Sequence, residues 1–427
     1  MQPYVPRIVD AEIDELFEQI SAIVLEGPKA VGKTATAARR AATVFNLDTP
    51  AHRQLAEVDP GIMLDAPAPV LIDEWQHVPS VWDAVRRRVD DGAGPGRYLL
   101  AGSAAPADAP THSGAGRIVS VRMRPLALAE RGLVLPTVRL ADLLTGSKPP
   151  VSGTSTLSLI DYAREIISSG FPGMRELRDR ALVAQLDGYL QRITDRDFQE
   201  QGHAVRKPVA LRRWMAAYAA ATATTTSLNK IRDAASGGSD ESASRQTTAA
   251  YRDVLESLWV VDSVAAWSPT RNHLARLVQA PRHHLADPAL AARLLGVNLN
   301  ALVRGDASPV LPSVSPNDGK LLGQLFESMM TLSVRVYAQA AEARVSHLRQ
   351  HDGEREIDLI VERDDKRVVA IEVKLGATVD DGDVRHLRWL QTQLGDSLLD
   401  AVVVTTGPQA YRRTDGIAVV PAALLTA

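Results

Sequence analysis

The segment Gly27-Pro28-Lys29-Ala30-Val31-Gly32-Lys33-Thr34 constrains this chain more than any other. It follows the apolar run Ala22-Ile23-Val24-Leu25, which reads as a buried strand, and leads into a helical stretch from Lys33 to Phe45. The pattern G-x-x-x-x-G-K-[ST] between a strand and a helix is a phosphate cradle, and a chance Gly/Lys-rich turn would not meet every fixed position in that setting. The glycines let the backbone curl so that successive N–H groups face phosphate oxygens. Lys33 is then placed to bridge the β- and γ-phosphates, and Thr34 to offer its hydroxyl to Mg²⁺. All eight residues are candidate nucleotide contacts, with Lys33 also a candidate catalytic group.

Two more apolar runs extend the pattern, Pro69-Val70-Leu71-Ile72 and Arg97-Tyr98-Leu99-Leu100-Ala101. Strands alternating with helical stretches up to about residue 145 predict an α/β domain with a mostly parallel sheet. The second run ends in Asp73-Glu74. An Asp at the end of that strand can hold the Mg²⁺ shell, and the Glu after it can polarise an attacking water. That pair favours hydrolysis over small-molecule phosphoryl transfer, where the second acid is often missing. Ser103, after the third run, is a candidate sensor of the γ-phosphate. Arg117, in a glycine-rich run, is a candidate to neutralise transition-state charge in cis or from a neighbouring subunit. Arg122 and Arg124 compete for that role.

At 427 residues, more than one hydrophobic core is expected. The 48 basic and 51 acidic residues nearly balance, so nucleic acid would need a local basic patch. The absence of cysteine excludes disulfides, thiolate metal sites and cysteine nucleophiles. Asp10 to Glu18 is acidic where an export signal would be basic, and the longest uncharged run, Trp214 to Asn229, is short for a bilayer span. The expectation is a cytoplasmic chain with no membrane contact.

From Asp161 the pattern turns helical, with candidates at 161–168, 179–198, 208–222, 227–235 and 249–258. A short strand pair, Trp259–Val264 with Ala265-Ala266-Trp267, would complete a winged-helix arrangement. The last part opens with a helix at 321–337. Strand candidates follow at 343–349, 357–362, 368–373, 401–405 and 417–420, with a helix at 381–394. The expected division is residues 1–145, 155–305 and 320–427.

In the last part, Asp358 lies in one strand-like segment and Glu372 and Lys374 in the next. Side chains alternate along a strand, so Glu372 and Lys374 share a face that Asp358 can meet across a hairpin. Two carboxylates and a lysine so placed can bind Mg²⁺ or Mn²⁺ and activate water for phosphodiester cleavage. Glu327, on the preceding helix, is a candidate further ligand. The competing reading is a cross-strand ion pair. His283 and His284 lack metal-ligand spacing and read as structural. Arg271, Arg276, Arg282 and Arg293 around them are a candidate nucleic-acid patch or a solvated face.

Taken together these features resemble a bacterial and archaeal group of AAA+-type ATPases fused to a C-terminal domain of unknown function. The resemblance rests on Gly27–Thr34, Leu71–Glu74, Leu99–Ser103, Arg122–Glu130, Ser169–Pro172, Tyr189–Asp197, His284–Pro288, Leu325–Glu327 and the Asp358/Glu372/Lys374 set, and covers essentially the whole chain. It implies a winged-helix-like middle region and a last module similar to the restriction-endonuclease fold, with Asp358, Glu372 and Lys374 matching a PD-(D/E)xK signature and Glu327 the helical acid. Ala104-Ala105 and Ala289 depart from the group's usual residues. The expectation is therefore a Mg²⁺-dependent ATPase joined to a nuclease-like module acting on DNA or RNA. The alternative is a nucleotide-switched interaction protein, in a stress or toxin–antitoxin-like system, whose nuclease-like module is inactive and binds a protein partner. Monomer, dimer and ring are all open.

Overall fold

The computed structural model describes residues 4–102, 114–203, 205, 207–237, 244–268, 279–304, 319–350 and 353–427. Strands β1 (Ala22–Glu26), β2 (Thr43–Asn46), β3 (Val70–Asp73), β4 (Tyr98–Ala101) and β5 (Ile118–Arg122) form one parallel sheet in the order β2-β3-β4-β1-β5. The three continuous apolar runs are its central strands, buried on both faces, as a sheet covered by helices on both sides requires. Ile23 and Leu25 face one core while Ala22 and Val24 face the other. The helix expected from Lys33 to Phe45 stops at Ala38. Thr43-Val44-Phe45 is β-branched and aromatic, and it becomes the edge strand β2, with Phe45 packed on the second core.

β6 (Val138–Arg139) and β7 (Gly153–Thr154) are short and serve as ties to the far end of the chain. The middle region then runs as helices, three of them capped by the side chains of Ser158, Ser227 and Ser244. Asp179–Arg192 continues through one π-turn, Ile193–Asp197, into Phe198–Glu200. The strand pair expected at 259–267 is formed with a different partner. Val261 and Val264 bridge to Leu285 and Arg282 in antiparallel sense. Ala265–Trp267 is drawn away because the Trp267 N–H donates to His347 O (2.6 Å), its indole donates to Glu362 (2.6 Å), and its ring fills the C-terminal core.

The last region opens with the helix Lys320–Ala340. Strands β8 (Arg344–Gln350), β9 (Arg355–Glu362), β10 (Val368–Val373), β11 (Leu398–Thr405), β12 (Gln409–Arg412) and β13 (Ala418–Pro421) follow. Their sheet has the order β7-β12-β13-β11-β10-β9-β8, so its first strand comes from the linker before the middle region. The final strand, β14 (Leu425–Thr426), pairs with β6. The helix Arg385–Leu394 covers one face of the sheet, and the opposite face joins a core that runs through Phe326, Tyr162 and Trp214 to Leu25. The three sequence divisions therefore share one hydrophobic core. Among the described residues, no helix is long and apolar enough to cross a membrane.

Candidate functional site

Because the first sheet is parallel, the carboxyl ends of β1, β3 and β4 lie along one edge, and the loops that leave them can meet there. The phosphate loop leaves β1. Gly27 has φ 148°, and a Cβ there would stand 2.2 Å from Met123 O; Gly32 has φ 104°. Both positions demand glycine. Ala30 also adopts positive φ, at 65°, a conformation that an alanine reaches only at a cost of order 1 kcal/mol.

Lys33 is only 6% exposed and folds back on its own loop, donating to Gly27 O (2.8 Å) and Pro28 O (3.0 Å). Burial lowers its pKa to about 8, against the pull of Glu74 and Asp73. The Thr34 hydroxyl donates to Asp73 Oδ1 at 2.9 Å, so loop and β3 are already joined where a shared cation would sit. Asp73 is 3% exposed, and burial raises it to about 6, with Thr34 opposing and Glu74 adding to the shift. Glu74 holds a left-handed backbone at φ 54° and accepts from the Gln76 amide. Hard oxygens from Thr34 and Asp73, a buried lysine and a backbone cradle fit a nucleoside triphosphate with Mg²⁺.

The middle region grips this loop. Lys29 Nζ pairs with Asp197 (2.7 Å), which ends the π-turn, and with Glu200 (2.8 Å), which ends the helix after it. Those acids outweigh the effect of burial and raise its pKa. Tyr189 OH reaches Lys29 O, and Arg7 donates to Val31 O (3.0 Å) while paired with buried Glu130 (3.1 Å). Pro172 stands by Gly32, in a turn held by buried Asp287, which accepts from Gly170 N (2.5 Å) and Ser169 Oγ (3.0 Å). Arg7 and Glu200 escaped the sequence reading because isolated charges carry no spacing signal, and Asp197 and Asp287 lay in stretches that carried the resemblance but were given no role.

Ser103, Arg271 and Arg276 lie outside the described residues. Arg117 precedes β5, and the register Ala22↔Ile118 puts it at the amino edge of the sheet, away from the loop. It pairs with Asp90 (2.8 Å), so the role in cis does not hold. Arg122 and Arg124 also turn elsewhere: with Arg335 they surround buried Asp262. Burial would raise Asp262, but the three guanidiniums hold it far below the usual carboxylate range.

The C-terminal residues do converge. The register Ile371↔Leu359 carries on to set Asp358 beside Glu372, and Asp358 Oδ2 accepts from Val373 N (2.8 Å). Lys374 Nζ lies 3.5 Å from Glu372. Sequence reasoning did not foresee Arg282, which is 1% exposed and enters the cluster from the middle region. Its Nη1 pairs with Glu327 and with Asp358 (2.9 Å), and its Nη2 with Glu356. Burial and Asp358 push Glu327 up to about 8, and the same two causes put Glu372 well above the carboxylate range. Burial also works against ionised Asp358, yet Arg282, the Val373 N–H and Lys374 hold it low.

Arg282 bears on two expectations. It is the Arg282 guanidinium that gathers Glu327 and Asp358, and among the described residues no group of three or more His, Asp or Glu is arranged to hold a metal ion. Nor does Arg282 belong to a surface patch for nucleic acid; Arg293, for its part, pairs with Asp187 (2.5 Å). His283 bonds Tyr218 and Thr226, and His284 bonds Ser328, which are structural roles.

Fold and loop together define a P-loop nucleotide-binding domain. Residues 19–131 match the family described as an AAA domain, 159–301 a domain of unknown function (DUF8612), and 322–425 another (DUF4143). Uncharacterized proteins of Mycobacterium bovis and Mycobacterium tuberculosis are each 27% identical over 306 residues. That stretch is 68% of this chain and 60% of the length of those relatives. A solved Walker-type ATPase of Pyrococcus abyssi is similar at 16% identity and a TM-score of 0.40, over 69% of this chain and 98% of that one.

Proposed function

We propose that the chain is a Mg²⁺-dependent ATPase whose nucleotide site is coupled through the middle region to the C-terminal cluster. The observation that carries the ATPase reading is the Thr34–Asp73 contact beside buried Lys33, with Glu74 next in sequence. Lys33 would exchange two backbone carbonyls for phosphate oxygens, a gain for a desolvated cation. Thr34 and Asp73 would hold Mg²⁺, which supplies charge neutralisation at the β- and γ-oxygens. Glu74 would orient and polarise water for attack on the γ-phosphorus. The purified chain should release phosphate from ATP; consumption of ATP without free phosphate would point to a kinase instead.

The coupling reading follows the contacts outward. Lys29 is tied to the helix ending at Glu200, and Arg282 of the same region reaches the C-terminal acids. Three helices followed by the 261–264/282–285 bridges support a winged-helix-like reading. The Asp358, Glu372 and Lys374 placement supports a nuclease-like one. A second reading, the nucleotide-switched interaction protein, is favoured by Arg282, whose guanidinium pairs with Glu327 and Asp358, two of the acids that a cleaving site would use. Incubation with DNA and RNA substrates and Mn²⁺ separates the two: cleavage lost in Glu372→Ala supports the nuclease, and none at all supports the switch. We place the protein in the cytoplasm on the same reading. Mass in solution with and without an ATP analogue tests monomer against dimer or ring.

A further inference from the structure

We propose that the middle region binds a small organic anion, one flat ring carrying a carboxylate or a phosphate, in a cavity between three of its helices. Such a site stands whether or not the chain hydrolyses ATP or cleaves nucleic acid. The cavity has a volume of about 260 Å³. It lies where the amino-terminal turns of the helices Pro208–Ala220 and Arg245–Ser257 meet the carboxyl-terminal half of the helix Leu228–Ser236. Small-molecule sites span about 300–1,000 Å³, so a cavity of this size takes a single ring and little more.

Part of the wall is apolar, from Val209, Trp214 and Ala235. Tyr218 stacks on the Trp214 ring with centres 5.2 Å apart, and Tyr251 meets it edge-on at 6.3 Å, so this wall is rigid before any ligand arrives. Val209 is left 64% exposed, and a ring beside it would take apolar surface out of water. The rest of the wall carries charge of one sign. Lys207, Arg213 and Arg232 line the cavity, and no acid is among the described residues that do. Asp233 shares Arg232 (2.7 Å), yet its carboxylate is largely in water and is screened there. In a chain whose 48 basic and 51 acidic residues nearly balance, this concentration is local. Cations converging on a concave, partly apolar wall suit an oxyanion borne on an apolar body. A nucleic-acid backbone is met by charge alone and needs no such wall.

The test titrates the full chain with 4-fluorobenzoate and 4-fluorophenyl phosphate, read by fluorine NMR, and whichever binds more tightly names the anion. Two controls divide the ligand, 4-fluorobenzyl alcohol with the ring alone and inorganic phosphate with the charge alone. Each should bind at least about tenfold more weakly than the better probe. Arg213→Gln should weaken that probe at least about tenfold, and Ala235→Phe, which fills the cavity and leaves its charges, should abolish binding. Should Ala235→Phe fold poorly, Val209→Glu sets a carboxylate at the rim from an exposed position and should abolish it too. Failure of both probes to bind up to about 10 mM would overturn the proposal, even where a duplex oligonucleotide binds through Arg213. So would binding indifferent to Arg213→Gln or to the folded cavity variant, which places the probe elsewhere. Inorganic phosphate as tight as the aryl phosphate would overturn it as well, since the apolar wall then plays no part.

Discussion

The chain holds two clusters of the same ingredients, acids at strand positions beside a lysine, and they differ in what neutralises them. At the nucleotide site Lys33 rests on two carbonyls of its own loop and Asp73 on a hydroxyl, partners that an incoming phosphate and cation can replace. At the C-terminal site Asp358 and Glu327 are held by a buried guanidinium that only a rearrangement removes. A motif supplies the acids of a site, but the neighbouring counter-ion decides whether the site is ready.

The largest effect should break the open site. Lys33→Ala removes a buried cation of the phosphate loop, and phosphate release should fall by a factor of about 10³ or more. Glu74→Gln should lower turnover by about 10²–10³ while nucleotide still binds, because the amide keeps the shape and loses the base. Phosphate-release kinetics with nucleotide titration separate the two. Full activity in Lys33→Ala would remove the ATPase reading altogether.

The closed site should fail in stability. Arg282→Ala leaves ionised, buried Asp358 without the guanidinium that holds it, and loss of one partner from such a buried pair costs about 3–5 kcal/mol. Denaturant unfolding without metal should show it, and an effect below about 1 kcal/mol would make the cluster an ordinary solvated one.

Acid and base should sort the sites as well. In the free protein Asp73 takes a proton below about pH 6, and Mg²⁺ needs the ionised form, so Mg²⁺–nucleotide affinity should fall about tenfold per unit below that. Lys33 loses its charge above about pH 8, so affinity should fall there too, leaving a plateau between. Asp73→Asn should flatten the acid limb alone. The closed site runs the other way. Glu327, raised to about 8, keeps its proton in the fold where the unfolded chain has released it, so stability should decline as pH rises from about 4.5 through 8.

How much of this could be read beforehand follows the range of the interaction. The phosphate loop, Asp73 and the three central strands were legible because apolar runs and glycine spacing are local signals. β2 was lost to the helix before it, since Thr43–Phe45 declares itself a strand only when Pro69 O and Asp73 O accept from its neighbours. The acids Asp358 and Glu372 were legible as a pair on adjoining strands, but Arg282 was not. It lies 45 residues before Glu327 and 76 before Asp358, and a lone arginine beside two histidines looks like surface. Arg117 failed for a related reason: strand direction, which sets the edge a residue occupies, is invisible until the register is known.

The smallest expected effect concerns the joint between the sites. Lys29 is about a quarter exposed, while Asp197 is nearly buried, so their pair should contribute only about 1 kcal/mol to stability. Its position gives it more leverage on function, because it fastens the phosphate loop to the helix that ends at Glu200. Asp197→Asn should leave the fold intact within about 1 kcal/mol yet change nucleotide affinity by a few-fold, as a loop no longer held from outside pays its own ordering cost. A double-mutant cycle with Lys29→Ala, read once by unfolding and once by nucleotide titration, isolates the pair. Coupling seen in the titration and weak in unfolding would mean that the middle region senses the loop. Equal coupling in both would reduce the contact to packing, and the two sites would then share a core without sharing a signal.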